Sequence, residues 1–156
     1  MICEIAERDV RKVKIPKREG ELRSQLMDEI AIVLPIPRYI AFRHEDVRSI
    51  GIPDISLTGH KFQSWWETKH ATPDFYSFGL QELTCKRLAQ VGYCRYIIYF
   101  ETAAGCKTLI VHPKHLTDLT PEAEASGHDH RFVAEFMKSV HECAAVRLRD
   151  KISIHE

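Results

Sequence analysis

Two apolar runs of strand length, Ile52 to Leu57 and Lys61 to Lys69, are separated only by Thr58-Gly59-His60, and a hairpin is the natural way to join strands across so short a gap. Each run carries an acid near one end. Gly51-Ile52-Pro53-Asp54-Ile55 opens the first, and Trp66-Glu67-Thr68-Lys69 closes the second. Laid side by side, the head of one strand meets the tail of the other, so Asp54, Glu67 and Lys69 come together. Strand alternation puts Glu67 and Lys69 on one face with Thr68 between them. Two carboxylates in that position can share a hard divalent cation such as Mg²⁺, while Lys69 can stand beside a water or a phosphate as electrostatic partner or proton shuttle. That is the chemistry of a metal-dependent phosphodiesterase. The bland alternative is a solvated acid and a surface salt bridge.

With 156 residues, 44% of them hydrophobic and 28% charged, the chain has the size and balance of a single soluble globular domain. A helix is expected over Glu19 to Leu34, with Leu22, Leu26, Ile30 and Val33 as its inward stripe and Pro35 and Pro37 as its stop. Strands follow at Arg38 to Arg43, Ile52 to Leu57 and Lys61 to Lys69. A helix over Ser77 to Val91 closes at Gly92. Cys94 to Glu101 and Thr108 to His112 read as inner strands, and His128 to Leu148 as a last helix. Pro121 to Gly127 reads as an exposed loop. The expected class is α/β, a central mixed sheet flanked by helices in the order α-β-β-β-α-β-β-α. Within one domain, residues 1–18 form a basic arm, 19–112 the core, and 113–156 a loop and C-terminal helix.

Net charge is zero, but its distribution is uneven. Arg8, Arg11, Lys12, Lys14, Lys17 and Arg18 crowd one stretch, whereas Asp118, Glu122, Glu124 and Asp129 lie where there is no Lys or Arg. Beside a phosphodiesterase site, Lys12, Lys14, Lys17 and Arg18 suit the phosphates of DNA, duplex or branched. A merely solvated terminus is the competing reading. Five cysteines, odd in number and without a C-x-x-C pair, and a charged start point to a reducing, cytoplasmic setting. No run approaches the roughly 18 apolar residues of a membrane span.

Other chemistries find little support. There is no Gly-x-Ser-x-Gly and no Gly-x-x-x-x-Gly-Lys, which disfavours acyl transfer and NTP hydrolysis. His112-Pro113-Lys114-His115 and His128-Asp129-His130 supply two histidines each, whereas zinc asks for three or four ligands. His70, next to Lys69, is better placed to touch a phosphate than to hold a metal.

Four motifs in order carry a family resemblance: Glu19 to Leu26 in a helix, Gly51-Ile52-Pro53-Asp54, Glu67-Thr68-Lys69, and Gln81 leading a helix with Leu88 and Gly92. Together they resemble the restriction-endonuclease-like superfamily with its Pro-Asp…(Asp/Glu)-x-Lys motif, and within it the virus-type replication-repair nuclease domains. The resemblance spans Glu19 to about Phe100. It implies a restriction-endonuclease-like core and a Mg²⁺- or Mn²⁺-dependent deoxyribonuclease of repair or replication. Asp54, Glu67 and the backbone carbonyl of Thr68 would bind the metal, Lys69 would position or activate the attacking water, and Gln81 would point at the site. Small members look like dimeric junction-cutting enzymes, so a homodimer is implied as well. Trp65-Trp66 departs from the small aliphatic residues usual before Glu-x-Lys. A third acid, Glu19 or Glu21, is open: Glu19 shares the face of the apolar stripe, and Glu21 lies about 160° around the helix from it. Two other readings remain, a catalytically inactive nucleic-acid- or protein-binding module of the same fold and a sequence-specific restriction enzyme.

Overall fold

The computed structural model describes residues 16–45, 51–74, 78–79 and 81–153. Lys12 and Lys14 lie outside these residues. Helix α1 covers Pro16–Val33, and Leu22, Leu26, Ile30 and Val33 are all buried, as the helical periodicity requires. Strands β1 (Tyr39–Arg43), β2 (Ile55–Gly59) and β3 (Phe62–Ala71) form an antiparallel meander. Helix α2 (Gln81–Val91) then crosses to β4 (Cys94–Thr102), which runs parallel to β3. Strand β5 (Gly105–Val111) returns antiparallel, a 3₁₀ turn follows at Pro113–His115, and β6 (Pro121–Ser126) precedes helix α3 (His130–Ser153). The protein is α/β: a six-stranded mixed sheet in the order β1-β2-β3-β4-β5-β6, flanked by three helices. No helix among the described residues is long and apolar enough to cross a membrane.

Burial divides the sheet into two faces. On one, α1 and α3 pack Leu22, Leu26, Ile30, Val133, Ala134 and Met137 against Leu57, Trp66, Ile97, Tyr99 and Ile110. On the other, Cys85 of α2 and Leu116 meet Ala71, Cys94, Tyr96, Ile98, Leu109 and Val111. Residues 66, 97 and 99 therefore face α1 and α3, while 65, 96 and 98 face α2, and the same alternation fixes where every polar residue on these strands points.

Two local expectations are corrected. Pro121 to Gly127 is not a loop: Pro121–Ser126 pairs with β5, from Lys107 opposite Ser126 to Val111 opposite Pro121. The sheet thus continues past residue 112. Ala and Glu are poor strand formers and proline leads the segment, so propensity hides it; its period-two burial and its exposed Glu122 and Glu124 are those of a charged edge strand. The second correction concerns the β2–β3 hairpin, whose tip is His60-Lys61, both at positive φ (54° and 58°). Gly59 is instead the last residue of β2, and a Cβ there would stand 2.4 Å from the Tyr39 ring, so glycine is required by close approach. Gly51 does need its freedom, with φ at 97° just before Pro53-Asp54.

The bulky Trp65-Trp66 pair has a structural account. Trp66 is fully buried and its indole N–H donates to Ser64 Oγ at 2.8 Å. Ser64 in turn donates to Nε2 of the buried His141 at 2.8 Å, and His141 Nδ1–H donates to the Gly59 carbonyl at 3.2 Å. Every member of this chain is satisfied, so Ser64 and His141 tie α3 to the hairpin and have no catalytic opening. His141→Ala leaves the Ser64 hydroxyl and the Gly59 carbonyl without their partner, and urea unfolding should show a loss of about 2 to 4 kcal/mol. A loss below about 0.5 kcal/mol would mean that the chain does not brace the core.

Candidate active site

The ladder between β2 and β3 ends at Ile55 opposite Trp66. One residue further out, the Asp54 side chain takes over from the backbone. Its Oδ2 accepts the Thr68 N–H at 2.9 Å and the Thr68 hydroxyl at 2.6 Å. The Asp54 N–H donates to Glu67 Oε2 at 3.1 Å. The two acids expected at adjoining strand ends are therefore locked to one another's strands. Thr68 serves Asp54 through its amide and hydroxyl, whereas the family resemblance assigns its carbonyl to a metal.

Alternation then sets the charges. Glu67 and Lys69 share the α2 face of β3, and Lys69 Nζ lies 2.9 Å from Glu67 Oε1. Lys69 also lies 3.7 Å from Glu19 Oε1, and the His70 N–H donates to Glu19 Oε2 at 3.3 Å. Of the two helix acids, Glu19 in the first turn of α1 is thus the one that reaches β3. Glu21 is half-exposed and, among the described residues, pairs with Arg18 at 4.0 Å.

Arg23 is the member that sequence reasoning missed. Its guanidinium sits 3.0 Å from Asp54 Oδ2 and 3.3 Å from Glu19 Oε1, and its Nε–H donates to Thr68 Oγ1 at 2.9 Å. The signal was the acid-to-base spacing of four residues from Glu19 to Arg23 on an inward-facing helix stripe. Three carboxylates and two cations make up the cluster.

Glu67 is completely buried. Burial, joined by the negative charge of Asp54, pushes its pKa up to about 7 against the pull of Lys69. Lys69 responds in the opposite sense. Burial disfavours its charge, but Glu67 and Glu19 outweigh that and raise its pKa above the ordinary lysine value. The pair is asymmetric because Lys69 faces several carboxylates, while Glu67 gains one cation and faces other acids. Lys69 is accordingly a fixed cation.

A divalent ion fits this donor set on one observation: Glu67 Oε1 is buried and has no aligned hydrogen-bond donor, although Lys69 is close. An ion there would offset the burial and the charge of Asp54 that disfavour ionised Glu67 even with Lys69 alongside. Asp54 and Glu67 would be its ligands. Among the described residues, Glu19, Asp54 and Glu67 do not bring three ligand atoms within 4.8 Å of one another; the group that does so is Glu101, Cys106 and His128.

The remaining expected site residues are placed as follows. Gln81 opens α2 on the Glu67 face, and no hydrogen bond among the described residues joins it to the acids. Lys17 and Arg18 lie in the first turn of α1; Arg18 is paired with Glu101 at 3.3 Å, and the side chain of Lys17 is outside the described residues. His70 is nearly buried, with Nε2 3.2 Å from Glu101 Oε2. His112 caps the 3₁₀ turn by accepting the Lys114 N–H at 3.1 Å, and His130 contacts Tyr99 and Gln25. The chain matches no family model, no curated protein and no solved structure.

The raised Glu67 pKa has a sign that can be measured. A carboxyl that ionises at about 4.5 when unfolded and about 7 when folded binds its proton more tightly in the native state. Its stabilising contribution is fully present below pH 4.5 and is lost as pH rises through 7. Glu67→Gln removes that dependence. In urea unfolding without divalent ions, the variant should gain on the wild type between about pH 5 and about pH 8, by on the order of 3 kcal/mol at most. Parallel pH profiles for the two proteins would place Glu67 in a solvent-like environment.

Proposed function

We propose that this protein is a Mg²⁺- or Mn²⁺-dependent DNA endonuclease with a restriction-endonuclease-like core. The observation that carries the reading is the interlock of Asp54 with Glu67 and Lys69 across two strand ends, which buries the Glu67 carboxylate beside a second acid and a lysine. The Pro-Asp…Glu-x-Lys order supports it. So does the placement of Glu19 within reach of Lys69. Asp54 and Glu67 would hold the ion, which when bound supplies charge neutralisation at the scissile phosphate and a more acidic water.

The chain's own residues do the rest. Lys69, kept charged by its carboxylates, stabilises negative charge that develops on the phosphate or the attacking oxygen. Arg23 holds Asp54 and Thr68 in register. Glu19 fixes Lys69 and the His70 amide from the helix side. The basic arm with Lys12, Lys14, Lys17 and Arg18 would position backbone phosphates without reading sequence. A symmetric dimer making paired cuts is the assembly we favour, supported by Ile40 and Phe42, which are 47% and 59% exposed on the open edge strand β1.

One observation favours a second reading, a binding module without turnover. Arg23 already occupies Asp54 at 3.0 Å, as a structural ion pair would. Labelled duplex, flap and four-way-junction DNAs with Mg²⁺, Mn²⁺ and EDTA decide between them. The nuclease reading expects cleavage of at least one substrate, stopped by EDTA and abolished in Asp54→Ala and Glu67→Ala. Lys69→Ala should keep Mn²⁺ affinity and lose about 10² or more in single-turnover rate. DNA binding without cleavage under either ion would establish the binding module. Discrete bands on plasmid DNA would instead mark a sequence-specific enzyme.

A further inference from the structure

We infer that Glu101, Cys106 and His128 form a zinc site at the end of the sheet, with His70 beside Glu101. The site is separate from the Asp54–Glu67 pair and does not depend on the nuclease reading. Glu101 is paired directly opposite Cys106 in the β4–β5 ladder. By the alternation that sends Tyr99 and Ile110 toward α1 and α3, Glu101 and Cys106 face the same way, and so does His70, two residues after Thr68.

His128 arrives on that face from the turn before α3, and the turn is held in place by β5. The Gly127 N–H donates to the Cys106 carbonyl at 2.8 Å, the Thr108 hydroxyl donates to the Gly127 carbonyl at 2.7 Å, and the Asp129 N–H donates to Thr108 Oγ1 at 2.9 Å. Asp129 then caps α3 by accepting the Phe132 N–H at 2.8 Å. Residues far apart in sequence are thereby delivered to one spot by rigid backbone.

The ligand atoms converge. One atom each from Glu101, Cys106 and His128 lie within 4.8 Å of one another. His70 Nε2 stands 3.2 Å from Glu101 Oε2, and His128 Nε2 stands 3.4 Å from Glu101 Oε1. Tetrahedral zinc with bonds of roughly 2.0 to 2.3 Å separates its ligands by roughly 3.3 to 3.8 Å, close to the spacing of these three ligand atoms, and leaves a fourth position for water or His70.

His70 Nε2 and His128 Nε2 are both buried, and each faces an oxygen of Glu101. The His70 side chain is only 9% exposed. A carboxylate, an imidazole and a free thiol gathered at one partly buried spot are a donor set that a metal can take up. Thiolate with imidazole selects zinc over the hard ions that suit Asp54 and Glu67. Arg18, at 3.3 Å from Glu101 and 3.5 Å from His128 Nδ1, offers a metal-free ion-pair cluster instead, but that gives Cys106 no part.

The full chain, stripped with a chelator and titrated with zinc against a chromophoric competitor, should take up one tightly bound ion at this site and melt at higher temperature when loaded. Cobalt in its place should give a thiolate-to-metal charge-transfer band. Cys106→Ser should remove that band, and both Cys106→Ser and His128→Gln should weaken zinc binding by about 100-fold or more. Cys143→Ser and the Asp54→Ala, Glu67→Ala double variant should bind zinc as the wild type does. A wild-type cobalt complex without a thiolate band overturns the inference even if the variants fail to fold. So does zinc binding that survives Cys106→Ser unchanged.

Discussion

The Asp54 carboxylate is the contact on which the candidate site depends. Where the β2–β3 ladder runs out, its Oδ2 accepts two hydrogen bonds from Thr68 and faces the Arg23 guanidinium. It therefore fixes the register of the strand end that carries Glu67 and Lys69, and it ties that end to α1. Gly51 at φ 97° and Pro53 aim the chain into this position. A one-residue slip of β3 would turn Glu67 and Lys69 to the other face and bring Thr68 to theirs, so the pairing of the hairpin and the chemistry of the site stand or fall together.

That arrangement stores an electrostatic imbalance. Glu67 is sealed between Asp54 and Lys69 with one oxygen lacking an aligned donor, and burial makes its ionisation unfavourable. Structural ion pairs are usually placed where both partners are satisfied. A buried acid held at a raised pKa next to a cation and a second acid is the pattern of a site kept ready for a ligand. Arg23 pairs with Asp54 and Lys69 with Glu67, so each acid has its own cation and only Glu67 is fully buried.

Much of this was legible in the sequence because it is local. The stripe Leu22, Leu26, Ile30 and Val33 announces α1 by its period, and the close spacing of two apolar runs announces the hairpin. What was hidden has a common cause: contacts between residues distant along the chain leave no periodic trace. Arg23 contacts Thr68 across 45 positions. Glu101, Cys106 and His128 meet only because β4, β5 and the turn into α3 are adjacent in space, and weighing the histidines as neighbouring pairs missed them. Strand β6 was obscured for a different reason, since its Ala and Glu composition opposes its conformation and only pairing with β5 decides it.

Titration of Mn²⁺ by calorimetry into wild type, Glu67→Gln and Cys106→Ser at neutral pH tests the central claim that the Asp54–Glu67 pair is a divalent-ion site. One bound ion is expected in the wild type, retained in Cys106→Ser and lost in Glu67→Gln. Failure of the wild type to bind, or equal binding by Glu67→Gln, would contradict it.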